Sequence, residues 1–96
     1  MSERIFRYWV KVSSDVPSIW SGNNILRRFR NKRDALVWVL ENGKGYGPDS
    51  EKLYIEEREY TSEANLERDF PLYCRPIWAA YFHGYEMLER MIESND

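Results

Sequence analysis

From Arg4 to Ser13 apolar and polar residues alternate, with Phe6, Tyr8, Val10 and Val12 on one side and Ile5, Arg7, Trp9 and Lys11 on the other. A period of two is what a half-buried strand shows, because successive side chains leave opposite faces of a sheet. The uncharged set is the natural core face. Residues Asn24 to Arg30 repeat the period, with Ile25 and Phe29 opposed to Leu26, Arg28 and Arg30. Between the two runs, DVPSIWSGN carries Pro17 and Gly22, a composition that makes turns. Trp20 at its end is expected to fold back onto the core.

At Asn31 the period lengthens to that of a helix. Asn31 suits an N-cap, Asp34 lies in the first turn where the helix dipole favours an anion, and Asn42-Gly43 supplies a stop. Ala35, Leu36, Val39 and Leu40 form the buried stripe of a helix running to about Glu41, and Val37 and Trp38 widen it. The glycine-rich GKGYGPDS is a connector. KLYIEEREY then returns to period two, with Leu53 and Ile55 against Tyr54, Glu56, Arg58 and Tyr60. Its second half is polar on both faces, which predicts an edge or a protruding strand end. Thr61 or Ser62 caps a short turn through Leu66 that Pro71 ends. Behind Pro76, Ile77, Tyr81, Gly84, Leu88 and Met91 recur at helical spacing, with Trp78, Phe82 and Tyr85 as an adjoining stripe, so a final helix is expected from there.

The order β-β-α-β-α predicts an α+β fold: one domain over residues 1–96, a three-stranded, mainly antiparallel sheet with two helices on one face, and a polar tail fraying from about residue 93. At 43% apolar and 16% aromatic, the 96 residues can bury a core without covalent staples. The single cysteine, Cys74, excludes an internal disulfide, and no run approaches the length of a membrane helix. A cytoplasmic protein is expected.

Charge adds a second layer. The net charge is −2, but Met1 to Lys44 holds nine Lys and Arg against four Asp and Glu, a balance of +5. Gly45 to Asp96 holds five against twelve, a balance of −7. Five of the cations fall within seven residues, Arg27, Arg28, Arg30, Lys32 and Arg33. Such asymmetry makes a dipolar surface suited to a charged partner, unless the two halves neutralise each other across neighbouring strands.

Catalytic chemistry is poorly provided for. His83 and Cys74 are the only residues of their kinds, stand nine positions apart across a proline, and lack a third group to orient a dyad. His83 and Glu86 are one helical turn apart, but a metal site needs further ligands and there is no second histidine. GKGYG fits neither phosphate-binding glycine pattern and follows a helix instead of opening one. Neither catalysis nor a cofactor is expected.

What remains is surface. With both helices on one side of the sheet, the other side collects Arg7, Trp9, Lys11, Leu26, Arg28, Arg30, Tyr54, Arg58 and Tyr60. Arginine with aromatics is the composition of protein-interface hot spots. It is also the composition of single-stranded nucleic-acid platforms, where bases stack on rings. An acidic chain without a nucleic-acid motif favours the protein partner. The expected function is therefore that of an inhibitor or adaptor, of the kind phage and mobile-element accessory genes encode, docking through Arg7, Trp9, Lys11, Arg27, Arg28 and Arg30 and an acidic segment at Glu56, Glu57 and Glu59. That segment, continued by Glu63, Glu67 and Asp69, has the charge to imitate a phosphate backbone, although Arg58 and Arg68 interrupt it. The alternative is nucleic-acid binding on the Arg7, Trp9, Lys11, Arg28 and Arg30 face. Trp78, Tyr81, Phe82 and Tyr85 are more apolar surface than one small sheet covers, and are candidates for contact with a second copy.

Overall fold

The alternating run at the N-terminus forms β1 (Ile5–Val12), the strand from which the sheet is built on both sides. In the computed structural model, which describes residues 4–13 and 24–94, it is followed by β2 (Asn24–Phe29), α1 (Lys32–Asn42), a 3-10 stretch (Gly43–Lys52), β3 (Leu53–Tyr60), α2 (Glu63–Glu67), β4 (Tyr73–Ala79) and α3 (Ala80–Ser94). The loop with Trp20 lies outside the described residues. The sheet is antiparallel throughout, in the order β2-β1-β3-β4, with β1 paired to β3 from Ile5 opposite Tyr60 to Val12 opposite Leu53.

Tyr8 and Val10 face α1 and α3 together with Leu53, Ile55 and Trp78, against Ala35, Leu36 and Val39 of α1 and Leu88 of α3. Phe6 and Val12 pack on the margin of this core, so the uncharged face of β1 is indeed the one turned to the helices. Each such fully buried aliphatic side chain contributes roughly 1.5 to 3 kcal/mol. The fold is thus α+β with two helices on one face, as the pattern predicts. α2 sits against β3 and the opposite face, where Leu66 reaches the same groove as Trp9 and Tyr60.

Both caps form as expected. Asn31 Oδ1 accepts from the Asp34 N–H at 2.9 Å, and Ser62 Oγ accepts from the Asn65 N–H at 3.1 Å. Each satisfies a backbone donor at a helix start that has no partner within the helix.

Four expectations need correction. The sheet has four strands and not three, because Tyr73–Ala79 is extended where a helix start is expected. Pro76 is tolerated there because β4 is an edge strand, and an edge can spare one N–H. The helical spacing of Ile77, Tyr81 and Gly84 is a coincidence of side chains that belong to a strand, a single turn and a break. Gly84, at φ 78°, interrupts α3 in a region that only glycine enters freely. Across this break Trp78 Nε1 donates to the Gly84 carbonyl at 2.9 Å and the Ala79 N–H donates to His83 Nδ1 at 2.9 Å.

β3, polar in its second half, is not an edge but an interior strand between β1 and β4. Leu26 belongs with the core and not with Arg28 and Arg30, because the β1–β2 register slips between Val10 and Lys11. The extra residue of this bulge lets both Leu26 and Arg27 turn toward the helices, and the Arg27 guanidinium lies 5.9 Å from the ring centroids of Phe29 and Trp38. A second slip, between Ile55 and Glu56, does the same for Ile77 and Trp78 on β4. Trp78 is accordingly a core residue and not a contact for a second copy.

At the end of α1, Gly43 is required by close approach. A Cβ placed there would lie 2.7 Å from Tyr85 Oη and 3.1 Å from Leu53 Cδ1. Tyr85 has little freedom to retreat, since its hydroxyl donates to the Ser50 carbonyl at 2.8 Å and its ring packs edge-on against Trp78 at 5.4 Å. Gly43→Ala is therefore expected to destabilise the fold by about 1 to 3 kcal/mol, as overpacking does. Urea denaturation checks this: the midpoint should fall with the slope unchanged, and an unaltered midpoint would show that Tyr85 yields freely.

Candidate functional site: an arginine groove beside an ion-paired sheet centre

Period two places Glu56 and Arg58 on the face of β3 away from α1 and α3, and Glu57 and Glu59 on the face toward them. An interior strand cannot leave these groups in water, and an unpaired buried charge is costly. Each one has found a partner. Lys11 Nζ donates to Glu56 Oε1 at 3.2 Å, with Lys11 only 5% and Glu56 1% exposed. Arg58 Nε donates to the other Glu56 oxygen, and Arg58 Nη1 reaches both oxygens of Asp69 at 2.8 Å. On the helix side, Arg75 Nε donates to Glu57 Oε1 at 2.9 Å, Tyr8 Oη donates to Glu57 Oε2 at 3.0 Å, and Arg4 pairs with Glu59.

Titration follows the same contacts. Burial raises Tyr8, and its bond to Glu57 raises it further. Tyr60 is pushed up to about 12, first by burial and then by the hydrogen bond it donates to Asp69. Burial pulls Asp69 upward, but Tyr60 and Arg58 together outweigh it and hold the carboxyl below the usual aspartate range. Burial also works against the charge of Arg58, yet its bonds to Glu56 and Asp69 prevail and keep the guanidinium protonated. Burial and the nearby Glu56 raise the Cys74 thiol, so thiolate, the nucleophilic form, is scarce at neutral pH. Among the described residues, no three His, Cys, Asp or Glu side chains stand close enough to share a metal ion.

The consequence for the expected site is selective. Arg7, Trp9, Arg28 and Arg30 do share one surface, lining a groove of about 500 Å³ whose far wall is Tyr60, Leu66 and Asp69. Trp9, however, is 8% exposed, because guanidiniums from both neighbouring strands cover it, with Arg58 Cζ at 3.6 Å and Arg28 Cζ at 4.4 Å from the ring centroid. Cation–π contacts withdrawn from water contribute up to about 2 kcal/mol. The indole therefore supports two arginines and has no open face. Lys11 is buried against Glu56, Arg27 lies on the helix side, and Glu56, Glu57 and Glu59 are buried, so these five are not part of the groove.

Leu66 and Phe29 are lining residues that the sequence pattern did not single out. The available signal for Leu66 was its place as the one large apolar residue in a helix already recognised by its Ser62 cap. Of the residues expected to meet a second copy, Tyr85 is anchored to Ser50, whereas Tyr81 and Phe82 are 64% and 66% exposed and pack edge-to-face on each other at 5.1 Å. No helix among the described residues is long and apolar enough to cross a membrane.

Compared with family models, with curated proteins and with solved structures, the chain finds no match. The molecule is a small α+β domain with an antiparallel four-stranded sheet, helices packed on it, and an arginine-lined groove on the face away from α1 and α3.

Asp69, two residues beyond α2, is the residue that closes this arrangement, since it receives both Arg58 and Tyr60. Asp69→Asn should destabilise the protein at neutral pH by about 1 to 2 kcal/mol, the range for a hydrogen-bonded charge that is half exposed. A carboxyl with a depressed pKa stabilises the fold above its unfolded value, near 4, and loses that contribution as pH falls through its folded value. Denaturation midpoints of wild type and Asp69→Asn should therefore differ at pH 7 and converge as the pH is lowered below about 4. A gap that persists in acid would mean that the ion pair is not its source.

Proposed function

We propose that this chain is a small non-catalytic binding protein, an inhibitor or adaptor that docks onto a protein partner through the groove lined by Arg7, Arg28 and Arg30. The observation that carries it is the convergence of these three cations, from β1, β2 and the residue just after β2, on one groove, while Arg4, Lys11, Arg58 and Arg75 are taken up by the acids of β3. Guanidiniums outside the ion pairs of β3 and beside an apolar wall are what acidic protein surfaces bind, and arginine is among the residues that dominate interface energetics.

Nucleic acid is the weaker occupant. Base stacking needs an open ring face, and Trp9, Tyr54 and Tyr60 are all buried. The acidic segment takes no part in docking, because its carboxylates already face cations of the same chain. A reducing, cytoplasmic setting belongs to the same proposal and rests on the single cysteine, which has no partner in the chain for a disulfide.

Tagged protein incubated with host lysate, divided into nuclease-treated and untreated halves, tests this function. A protein should remain bound after nuclease and be lost with Arg28→Glu plus Arg30→Glu. Raising salt from about 50 to 200 mM should weaken it far less than the roughly two decades that about four phosphate contacts would cost. Material that nuclease removes, with that steep salt dependence, would make the groove a nucleic-acid site instead.

A further inference from the structure

We infer that the outer edge of β2 takes up an extended segment of the protein partner as an added strand, and that this segment carries acidic and apolar residues in alternation. The inference rests on the docking function proposed above and specifies its geometry and the chemistry of the partner.

The sheet has two outer strands, β2 and β4, and they are not equivalent. β4 carries Pro76, which has no N–H to give to a further strand. β2 has no proline between Asn24 and Phe29, and no described strand lies beyond it. A bulge at Leu26 interrupts it, and past that bulge its outward amides and carbonyls are a template for strand addition.

The surfaces above and below that edge differ, and their difference dictates the occupant. On one side Arg28 and Arg30, two residues apart and so on the same face, stand exposed at the rim of the groove. On the other side a depression of about 450 Å³ is lined by Phe29, Val37 and Trp38, with Arg33, Asp34 and Glu41 around it. A strand laid along β2 sends alternate side chains to these two places. Carboxylates at every second position would meet Arg28 and Arg30, and apolar side chains between them would enter the Phe29–Trp38 depression.

The same cations select against a second copy of this chain. Pairing β2 with β2 would oppose arginines to arginines, and like charges directly opposite are destabilising. Nor can the acid-rich β3 of another copy serve, since it is interior to its own sheet.

The test uses the intact protein and short synthetic peptides: one of alternating Glu and Val, one of the same composition with all Val preceding all Glu, and two alternating peptides N-methylated on the Val or on the Glu residues. Binding is read by calorimetry, and exchange of the β2 amides by hydrogen–deuterium exchange. The alternating peptide should bind at least about tenfold more tightly than the block peptide, a difference of about 1.4 kcal/mol. One of the two N-methylated peptides should lose binding although its charge is unchanged, and exchange at Ile25–Phe29 should slow. Arg28→Glu plus Arg30→Glu should abolish binding, and Arg30→Glu alone, at an exposed position, should weaken it without affecting the fold.

Equal binding of block and N-methylated peptides would overturn strand addition and leave docking by charge alone. Failure of every peptide, with the lysate partner still dependent on Arg28 and Arg30, would overturn the inference and spare the docking function. A lysate partner indifferent to the double reversal would overturn both.

Discussion

The structure turns on one electrostatic constraint: β3 is an interior strand of a small sheet and carries Glu56, Glu57, Arg58 and Glu59 in succession. Charges withdrawn from water survive only with close partners of opposite sign. That requirement recruits Lys11 from β1, Arg75 from β4, Arg4 from just before β1 and Asp69 from beyond α2. The register is thereby specified twice, by the apolar residues at one end of the strands and by ion pairs at the other. The constraint also separates the cations into two populations. Those beside β3 are structural, whereas Arg7, Arg28 and Arg30 line the groove and take no part in the ion pairs of β3.

The alternation along β1 was legible because it is uninterrupted, and the shared surface of Arg7, Trp9, Arg28 and Arg30 followed from it directly. The helix caps at Asn31 and Ser62 were equally legible, since their chemistry is local. What was hidden depends on neighbours distant in the chain. β4 escaped notice because Ile77, Tyr81 and Leu88 fall at helical spacing by chance, and because Pro76 reads equally well as a helix start or as an edge residue. The interior place of β3 was disguised by its polarity, and only its cross-strand partners explain how that polarity is tolerated. The bulge at Leu26 leaves no mark in a pattern of six residues.

Trp9 shows how far composition can carry a functional argument. Arginines interleaved with aromatics suggest rings on display, and the structure has the same residues with the order of layers reversed. Arg28 and Arg58 lie on top of the indole, so the aromatic fixes both guanidiniums in place and Arg28 forms the surface. A rigid arginine loses less conformational entropy on binding than a free one. The tryptophan thus acts in recognition through the arginine it orients, which no tally of residue types would distinguish from direct contact.

The pairing of β1 with β3 has a consequence for how the chain reaches its fold. The residues that neutralise one another across these strands are separated by 45 to 55 positions. Closing so long a loop costs entropy before any contact repays it, and domains dominated by such non-local pairs fold slowly for their size. On the ribosome, β1, β2 and α1 emerge well before β3, with Lys11 still lacking its carboxylate and the apolar face of β1 still open to water on one flank. The arrival of Leu53 to Tyr60 therefore supplies the middle of the core and the carboxylates that Lys11 and Arg4 need, and both are completed only when Asp69, Arg75, Trp78 and Leu88 follow.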